Sequence, residues 1–152
     1  MLTVSCHCGK VTLELPRAPR ALTQCNCSIC RRYGAFWAYF RRGSVRVRAA
    51  PNALASYSWG NKVREFRHCR SCGCLTHYQR RAKKRDGSDT LAVNLRNVDQ
   101  PELIAKVPIK LLDGARSWKF LEQRRQPFLL RSPASTPTTS GRPSPRPARA
   151  FS

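Results

Sequence analysis

The chain has 152 residues, enough for one ordinary domain with a single core, and 41% of them are hydrophobic. Lys and Arg number 29 against 8 Asp and Glu, and the formal net charge of +21 attracts anionic partners without distinguishing nucleic acids from phosphates or small carboxylates. The N-terminus lacks a signal-peptide pattern and no segment is apolar enough to span a membrane, so we expect a soluble, cytoplasmic protein without membrane contact.

Short extended segments follow one another along the chain. In residues 9–15, Val11, Leu13 and Leu15 alternate with polar residues, which is the period-2 pattern of a half-buried strand. The aromatic run at 35–40 predicts the next strand. Further strands are predicted at 45–47, 55–57, 62–66, 75–78, 91–93 and 106–109.

Helical signals are sparse. A turn is predicted after Ser28, another near 101–104, and a short C-terminal helix at 115–121. The pattern therefore predicts a mainly β domain, in which metal crosslinks are expected to supplement a thin core.

The last part of the chain has a different composition. From residue 124 to 152 it is rich in Pro, Ser, Thr and Arg and contains no acidic residue. The apolar surface of this segment is too small to offset the entropy lost on folding. We therefore predict a zinc-binding domain at 1–123 and a disordered tail at 124–152.

Seven of the eight cysteines fall into three clusters. The clusters are Cys6 with Cys8, Cys25 with Cys27 and Cys30, and Cys69 with Cys72. In a reducing compartment, tight clusters of this kind indicate metal ligation rather than disulfide bonds. Thiolates are soft donors, and zinc takes four of them in a tetrahedron.

The two outer clusters can meet only through the fold. Pairing Cys6 and Cys8 with Cys69 and Cys72 would give zinc four thiolates and staple an early strand to a central one. We expect this site to be closed and structural.

The middle cluster is left with three donors. Cys25, Cys27 and Cys30 leave the fourth position open, which is the arrangement of catalytic zinc sites. The alternative is that a fourth protein donor closes this site, and the candidates are Cys74, His77 and His68. For His77 itself a surface position is the expected outcome, and His68 is expected to be packed beside its ligand neighbour.

The cluster sequences resemble those of a known family. The segments are Cys6-His7-Cys8-Gly9, Cys25-Asn26-Cys27-Ser28-Ile29-Cys30-Arg31-Arg32-Tyr33-Gly34-Ala35, Phe66-Arg67-His68-Cys69-Arg70-Ser71-Cys72-Gly73, Val93-Asn94-Leu95-Arg96 and Asp113-Gly114-Ala115-Arg116-Ser117-Trp118. They resemble the glutathione-dependent formaldehyde-activating enzyme family, whose domain is also present in centromere protein V.

The resemblance implies a β-rich fold like that of the Mss4 zinc-binding proteins. It implies two zinc ions per chain, a structural one on Cys6, Cys8, Cys69 and Cys72 and a second one on Cys25, Cys27 and Cys30. The sulfur of glutathione, the implied co-substrate, would bind at the second zinc. Cys74 lies outside this ligand set and is expected to be a buried, inert thiol.

Such a site suits thiol–aldehyde chemistry. A thiol that enters the open position loses its proton more easily, and its attack on formaldehyde gives an S-hydroxymethyl adduct. We therefore expect a zinc-dependent carbon–sulfur lyase or thiol–aldehyde adduct enzyme that resembles S-(hydroxymethyl)glutathione synthase. Its partners would be a small thiol and an aldehyde.

Candidate substrate contacts follow the middle cluster. Arg31 and Arg32 are candidates to pair with the carboxylates of glutathione, although a solvated charge pair is the more common outcome. Trp37, with Tyr39 and Phe36, is a candidate to line the pocket, although alternate aromatics are more often core. The alternative function is a non-enzymatic basic zinc module that binds nucleic acid or another polyanion.

Overall fold

A small antiparallel sheet forms from the first strongly alternating segments of the chain. The computed structural model of the protein describes residues 2–82 and 84–124. Strands β1 (Leu2–Ser5) and β2 (Val11–Leu15) form a hairpin, and β2 pairs on its other side with β5 (Arg46–Ala49). Every second residue of β1 and β2 is apolar and buried, so one face of this sheet belongs to the core.

A larger sheet of eight strands makes up most of the described fold. Its strands are β3 (Leu22–Cys25), β4 (Trp37–Arg41), β6 (Leu54–Tyr57), β7 (Arg64–Cys69), β8 (Leu75–Arg80), β9 (Thr90–Asn94), β10 (Ile109–Leu112) and β11 (Phe120–Arg124). Across the sheet they follow the order β11-β10-β3-β4-β9-β8-β7-β6. All neighbours are antiparallel except β3 and β10, which run parallel.

The two faces of the large sheet carry separate apolar clusters. Phe40, Leu91 and Val93 belong to the main core, which includes the inward residues of the small sheet. Trp37 and Ala92 alternate with them and join a second cluster that contains the middle group of cysteines. The period-2 alternation therefore separates a structural face from a face that is free to carry a site.

Helices are few and short. Helix α1 (Cys30–Tyr33) is one turn long and ends at Gly34, whose φ of 58° is the left-handed conformation that closes many helices. Three 3-10 turns span Arg42–Ser44, Leu95–Asn97 and Pro101–Ile104. The predicted mainly β fold with few short helices is confirmed. In the described part of the chain, none of the helices has the length and apolar character to cross a bilayer.

The predicted C-terminal helix at 115–121 is wrong. The Asp113 carboxylate accepts hydrogen bonds from the Ser117 backbone N–H and hydroxyl, at 3.2 and 2.9 Å, and ties residues 113–117 into a turn. Trp118 then takes a left-handed φ of 56°, which ends any helical path. The chain turns back as β11 and pairs with β10.

Several strand boundaries also differ from the predictions. The strands predicted at 9–15, 35–40, 45–47, 55–57, 75–78 and 91–93 are present with ends shifted by up to two residues, and the strand predicted at 62–66 begins two residues later and ends three residues later. The strand predicted at 106–109 only begins at Ile109, and β1, β3 and β11 were not predicted. Arg124, where the predicted tail starts, still belongs to β11, and the rest of that tail lies outside the described residues.

His77 is buried rather than on the surface. It is only 3% exposed and pairs across the strands with Val93, on the face of the large sheet that carries the main core. Its Nδ1 lies 2.9 Å from the Thr76 hydroxyl. Burial, followed by the nearby positive charge of Arg67, lowers the pKa of His77 to about 4.

Replacing His77 with Gln is expected to flatten the pH dependence of stability. The folded-state pKa lies below the ordinary value of 6.5, so the unfolded chain binds more protons between these two values and stability falls as the pH falls. From about pH 7 to pH 5 the wild-type protein should lose about 2 kcal/mol of unfolding free energy that the variant keeps. Urea unfolding at both pH values measures this difference.

The exposed His7 supplies the matched control. His7→Gln should keep the wild-type slope, and the zinc content of all three proteins is measured at both pH values because His7 lies between Cys6 and Cys8. An unchanged slope in His77→Gln would contradict the prediction.

Candidate metal centre and substrate cavity

Four cysteines from two distant turns converge at one edge of the core. The turn between β1 and β2 carries Cys6 and Cys8, whereas Cys69 ends β7 and Cys72 lies in the turn that leads to β8. Their four Sγ atoms lie within 4.8 Å of one another. The Cys6–Cys8 and Cys8–Cys69 sulfur distances are both 3.6 Å, close to the edge of about 3.8 Å in a tetrahedron with Zn–S bonds of about 2.3 Å.

The two turns are built alike. The Gly9 N–H donates to the carbonyl of Cys6 at 2.8 Å, and the Gly73 N–H donates to the carbonyl of Cys69 at 2.9 Å. Both glycines have a left-handed φ, of 74° and 73°, which a side chain would strain. Each cluster therefore ends in a glycine because the chain must turn sharply to present two sulfurs on one side.

Backbone donors favour thiolates in this group. The N–H of Cys74, followed by that of Cys8, lowers the pKa of Cys72 to about 5. The N–H of Cys72 likewise lowers the pKa of Cys69. Burial instead raises the pKa of Cys6 to about 12, so a nearby cation is needed for all four sulfurs to be thiolates together.

The middle cysteines form a second group on the opposite face of the large sheet. Cys25 ends β3, Cys27 lies in the following turn, and Cys30 begins α1. All three are buried and their Sγ atoms lie within 4.8 Å of one another. The indole N–H of Trp37 donates to Cys30 Sγ at 3.3 Å, and the backbone N–H of Cys27 donates to Cys25 Sγ at 3.5 Å.

The sulfurs of this group share their protons unequally. A hydrogen bond from the Cys30 thiol, together with the Cys27 N–H, lowers the pKa of Cys25 to about 6. The same pairing, followed by burial, raises the pKa of Cys30. The three sulfurs form a soft donor set that fits one thiophilic cation.

The three candidate fourth donors lie elsewhere. Among residues 2–82 and 84–124, no further Cys, His, Asp or Glu has a ligand atom within 4.8 Å of all three sulfurs. Cys74, which was predicted to be buried, is only half-buried, and it packs against the main core beside the first cysteine group. His77 lies on the main-core face, and His68 is half-buried with its Nδ1 unpaired.

The β10–β11 hairpin closes over the second cysteine group. The Asn26 side chain donates to the Asp113 carboxylate at 2.9 Å and accepts from the Ala115 N–H at 2.9 Å. Gly114 lies so close that an added Cβ would overlap Cys25 Sγ and approach Cys27 Cβ to 3.1 Å. A residue without a side chain is therefore required for the hairpin to reach the sulfurs.

A cavity of about 470 Å³ opens directly above the three sulfurs. It is lined by Cys25, Cys27, Ile29, Cys30, Trp37, Tyr39, Trp59, Gly60, Asn61, Arg64, Phe66, Tyr78, Leu112 and Trp118. Its walls come from the β6–β7 hairpin and the β10–β11 hairpin, which stand at opposite ends of the large sheet. The sheet must therefore curl so that its two ends face each other across the cavity.

The predicted substrate contacts are divided between cavity and surroundings. Trp37 and Tyr39 line the cavity, whereas Phe36 packs in the main core. Arg31 and Arg32 do not line it, and Arg32 donates instead to the Ser28 carbonyl at 2.6 Å. The cation that does line the cavity is Arg64 of β7, which sequence reasoning did not single out.

Asn94 and Arg96, which the sequence left without a role, brace the strand that carries Trp37. The Asn94 side chain accepts from the Phe36 N–H at 3.2 Å and donates to the Leu75 carbonyl at 3.0 Å. The Arg96 guanidinium lies 3.7 Å from the Phe36 ring centre and donates to the Gly34 carbonyl at 2.9 Å. Both residues therefore fix the backbone between α1 and β4.

The sequence profile of the glutathione-dependent formaldehyde-activating enzyme family matches residues 1–108. The chain belongs to this family. The chain is similar to a Rhodobacter sphaeroides protein of known crystal structure, with 31% sequence identity and a TM-score of 0.56. The similarity covers 70% of this chain and 98% of that protein. No curated protein matches the chain.

Membership indicates an enzyme of the glutathione-dependent formaldehyde-activating type, and the predicted resemblance is confirmed for the segments within residues 1–108. The match covers both cysteine groups but ends before the β10–β11 hairpin. Gly114 and Trp118 therefore belong to a part of the site that lies beyond the matched residues.

Gly114→Ala is expected to disrupt the second cysteine group while leaving the first intact. The added methyl group would overlap Cys25 Sγ, so either that sulfur or the hairpin must move. We expect the variant to bind one equivalent of zinc less than wild-type protein, as measured by elemental analysis after gel filtration. Gly43→Ala is the matched control because its Cβ would meet nothing within 4 Å. Full metal content in Gly114→Ala would contradict this account.

Proposed function

We propose that the protein is a zinc-dependent enzyme that forms and breaks the carbon–sulfur bond between a thiol and an aldehyde, with glutathione and formaldehyde as the pair suggested by its family. One observation carries the proposal. Three buried cysteine sulfurs form the floor of an open cavity, and among the described residues no fourth protein donor joins them. Three protein ligands beside an accessible space are typical of catalytic rather than structural zinc.

The donor chemistry supports zinc at both groups. Cys25, Cys27 and Cys30 would hold the catalytic ion, and Cys6, Cys8, Cys69 and Cys72 the structural one. When bound, zinc at the three-cysteine group would favour the thiolate form of an entering thiol at neutral pH. The remaining requirements of the reaction fall on the protein's own side chains.

The bond changes balance without a redox partner. The thiol sulfur forms a bond to the carbonyl carbon, the C=O π electrons move to oxygen, and that oxygen takes up the proton that the thiol has lost. The reverse sequence breaks the same C–S bond and releases thiol and aldehyde. The chain must therefore orient the aldehyde and hydrogen-bond its oxygen as negative charge develops there.

Two tyrosines supply hydroxyl donors in the cavity wall. The Tyr78 hydroxyl donates to the Tyr39 hydroxyl at 3.4 Å, so the proton of Tyr39 is available to the cavity. Burial raises the pKa of both phenols, which keeps them protonated at neutral pH. We assign Tyr39 as the hydrogen-bond donor to the aldehyde oxygen and Tyr78 as the residue that orients it.

Metal analysis tests the ligand sets. Wild-type protein should contain two zinc ions per chain, and Cys27→Ser should lose one of them and remain folded because this group crosslinks only neighbouring residues. Cys72→Ser should lose the other and lower the unfolding temperature, since its group joins the two sheets. Retention of both zinc ions by Cys27→Ser would overturn the catalytic assignment.

Exchange kinetics test the reaction. Nuclear magnetic resonance exchange between formaldehyde and its glutathione adduct should be faster with the zinc-loaded protein than in buffer. Tyr39→Phe should slow the catalysed exchange by about tenfold, through loss of one hydrogen bond to the developing charge. Tyr57→Phe is the control, because Tyr57 is outside the lining of this cavity. No acceleration by the wild-type protein would contradict the proposed function.

A further inference from the structure

The cavity is far more aromatic than a formaldehyde site requires. Six of its lining residues are aromatic, namely Trp37, Tyr39, Trp59, Phe66, Tyr78 and Trp118. Its volume of about 470 Å³ exceeds by far what a one-carbon aldehyde occupies. Most of this space must therefore be shaped for another part of the reacting pair.

The inner rings form a packed wall. The ring centres of Trp37 and Tyr78 lie 4.7 Å apart with an edge-to-face angle of 77°, and those of Phe66 and Tyr78 lie 5.1 Å apart. These separations are typical of favourable aromatic pairs in a core. The inner rings consequently offer a rigid apolar surface that loses little freedom when a ligand packs on it.

Two further tryptophans stand at the mouth of the cavity. Trp59 is 46% exposed on the β6–β7 hairpin, and Trp118 is 66% exposed on the β10–β11 hairpin. Large exposed apolar side chains beside a cavity mark a binding surface. Since the two hairpins lie at opposite ends of the sheet, a ligand in the cavity has an indole near it on each side.

The backbone holds Trp118 in an unusual conformation. Its φ of 56° is left-handed, which is uncommon for a bulky residue, and its N–H donates to the Asp113 carbonyl at 2.7 Å. Asp113 is itself tied to Asn26 in the loop of the three-cysteine group. The orientation of the indole is thus coupled to the loop that carries the sulfurs.

The charge of the lining does not match glutathione well. Arg64 is the one Lys or Arg among the lining residues, and none of them is Asp or Glu. Glutathione carries two carboxylates and one ammonium group. Arg64 can pair with only one of the carboxylates, and the lining has no acidic residue to pair with the ammonium group. A thiol with a single carboxylate fits the available charge better.

We propose, building on the proposed function, that the preferred thiol of this enzyme carries a planar aromatic group and one carboxylate. The ring packs between Trp59 and Trp118, Arg64 pairs with the carboxylate, and the thiol sulfur reaches the three-cysteine group at the cavity floor. The C–S bond change is the one described above, with the same transfer of the thiol proton to the aldehyde oxygen.

Calorimetric titration of the zinc-loaded protein with three thiols tests this preference without any aldehyde. The probes are 4-(mercaptomethyl)benzoate, which has ring and carboxylate, 3-mercaptopropionate, which lacks the ring, and glutathione. We expect 4-(mercaptomethyl)benzoate to bind about tenfold more tightly than either of the others, since stacking of its ring on the indoles adds binding energy beyond area burial. Equal or weaker binding of this probe would overturn the proposal.

Substitutions at the proposed contact residues test which of them contribute to thiol binding. Trp59→Ala and Trp118→Ala should each weaken 4-(mercaptomethyl)benzoate about fivefold and leave 3-mercaptopropionate unchanged, because only the first has a ring to stack. Arg64→Gln should weaken both carboxylate probes by roughly fivefold. The controls are Phe120→Ala, an exposed aromatic change on the same hairpin outside the cavity lining, and Arg46→Gln on the small sheet. Losses no larger than in the controls would contradict the assigned contacts.

The outcome is separable from that of the proposed function. If glutathione exchange with formaldehyde is catalysed while the aromatic thiol binds no better than glutathione, only the substrate preference fails. If the aromatic thiol binds tightly and no adduct exchange is accelerated with any probe thiol, the reaction assignment fails and the binding preference stands.

Discussion

Four sulfur atoms held within 4.8 Å of one another are the constraint on which the two-sheet arrangement depends. Two of them come from the small sheet's hairpin and two from the end of β7 and the turn that follows it in the large sheet. Thiolates at such distances repel unless a cation lies between them, and a tetrahedral cation turns this repulsion into a crosslink. Because the strands are short, such a crosslink would help fix which face of the large sheet is covered, and it would leave the other face open for the second cysteine group.

Curvature of the large sheet forms the cavity on the face that lies opposite the main core. A flat sheet of eight strands would keep its end hairpins far apart, whereas here both hairpins contribute to one cavity. Twist accumulates across neighbouring strands, and the parallel pairing of β3 with β10 brings the β10–β11 hairpin beside the cysteine loop. Gly114 then allows the hairpin to approach Cys25 at a distance that a side chain would prevent. The approach of this hairpin therefore helps both to bury the three sulfurs and to shape the cavity above them.

Local patterns in the sequence predicted much of this, and non-local ones did not. Cysteine spacing grouped the four outer cysteines apart from the three middle ones and left a fourth donor to the middle group open, while period-2 alternation located most strands. Trp59, Arg64 and Trp118 could not be assigned to the cavity, because only the order of strands in the folded sheet brings them together. The helix predicted at 115–121 failed for a related reason, since pairing of β11 with β10 outweighs the weak local preference of that segment. His77 was predicted at the surface because its burial depends on β7 and β9 pairing on either side of β8, which strand spacing alone does not reveal.

The two cysteine groups differ in how much of the chain must fold before their sulfur atoms come together. Cys25, Cys27 and Cys30 are near neighbours in sequence, so bringing their sulfurs together closes only a very short loop. Cys8 and Cys69 are 61 positions apart, so their group cannot form before most of the fold has assembled. During synthesis, the three-cysteine segment emerges complete, so its sulfurs can approach one another while the rest of the domain is still unformed. A metal ion at the four-cysteine group, by contrast, could bind only after the tertiary structure has formed.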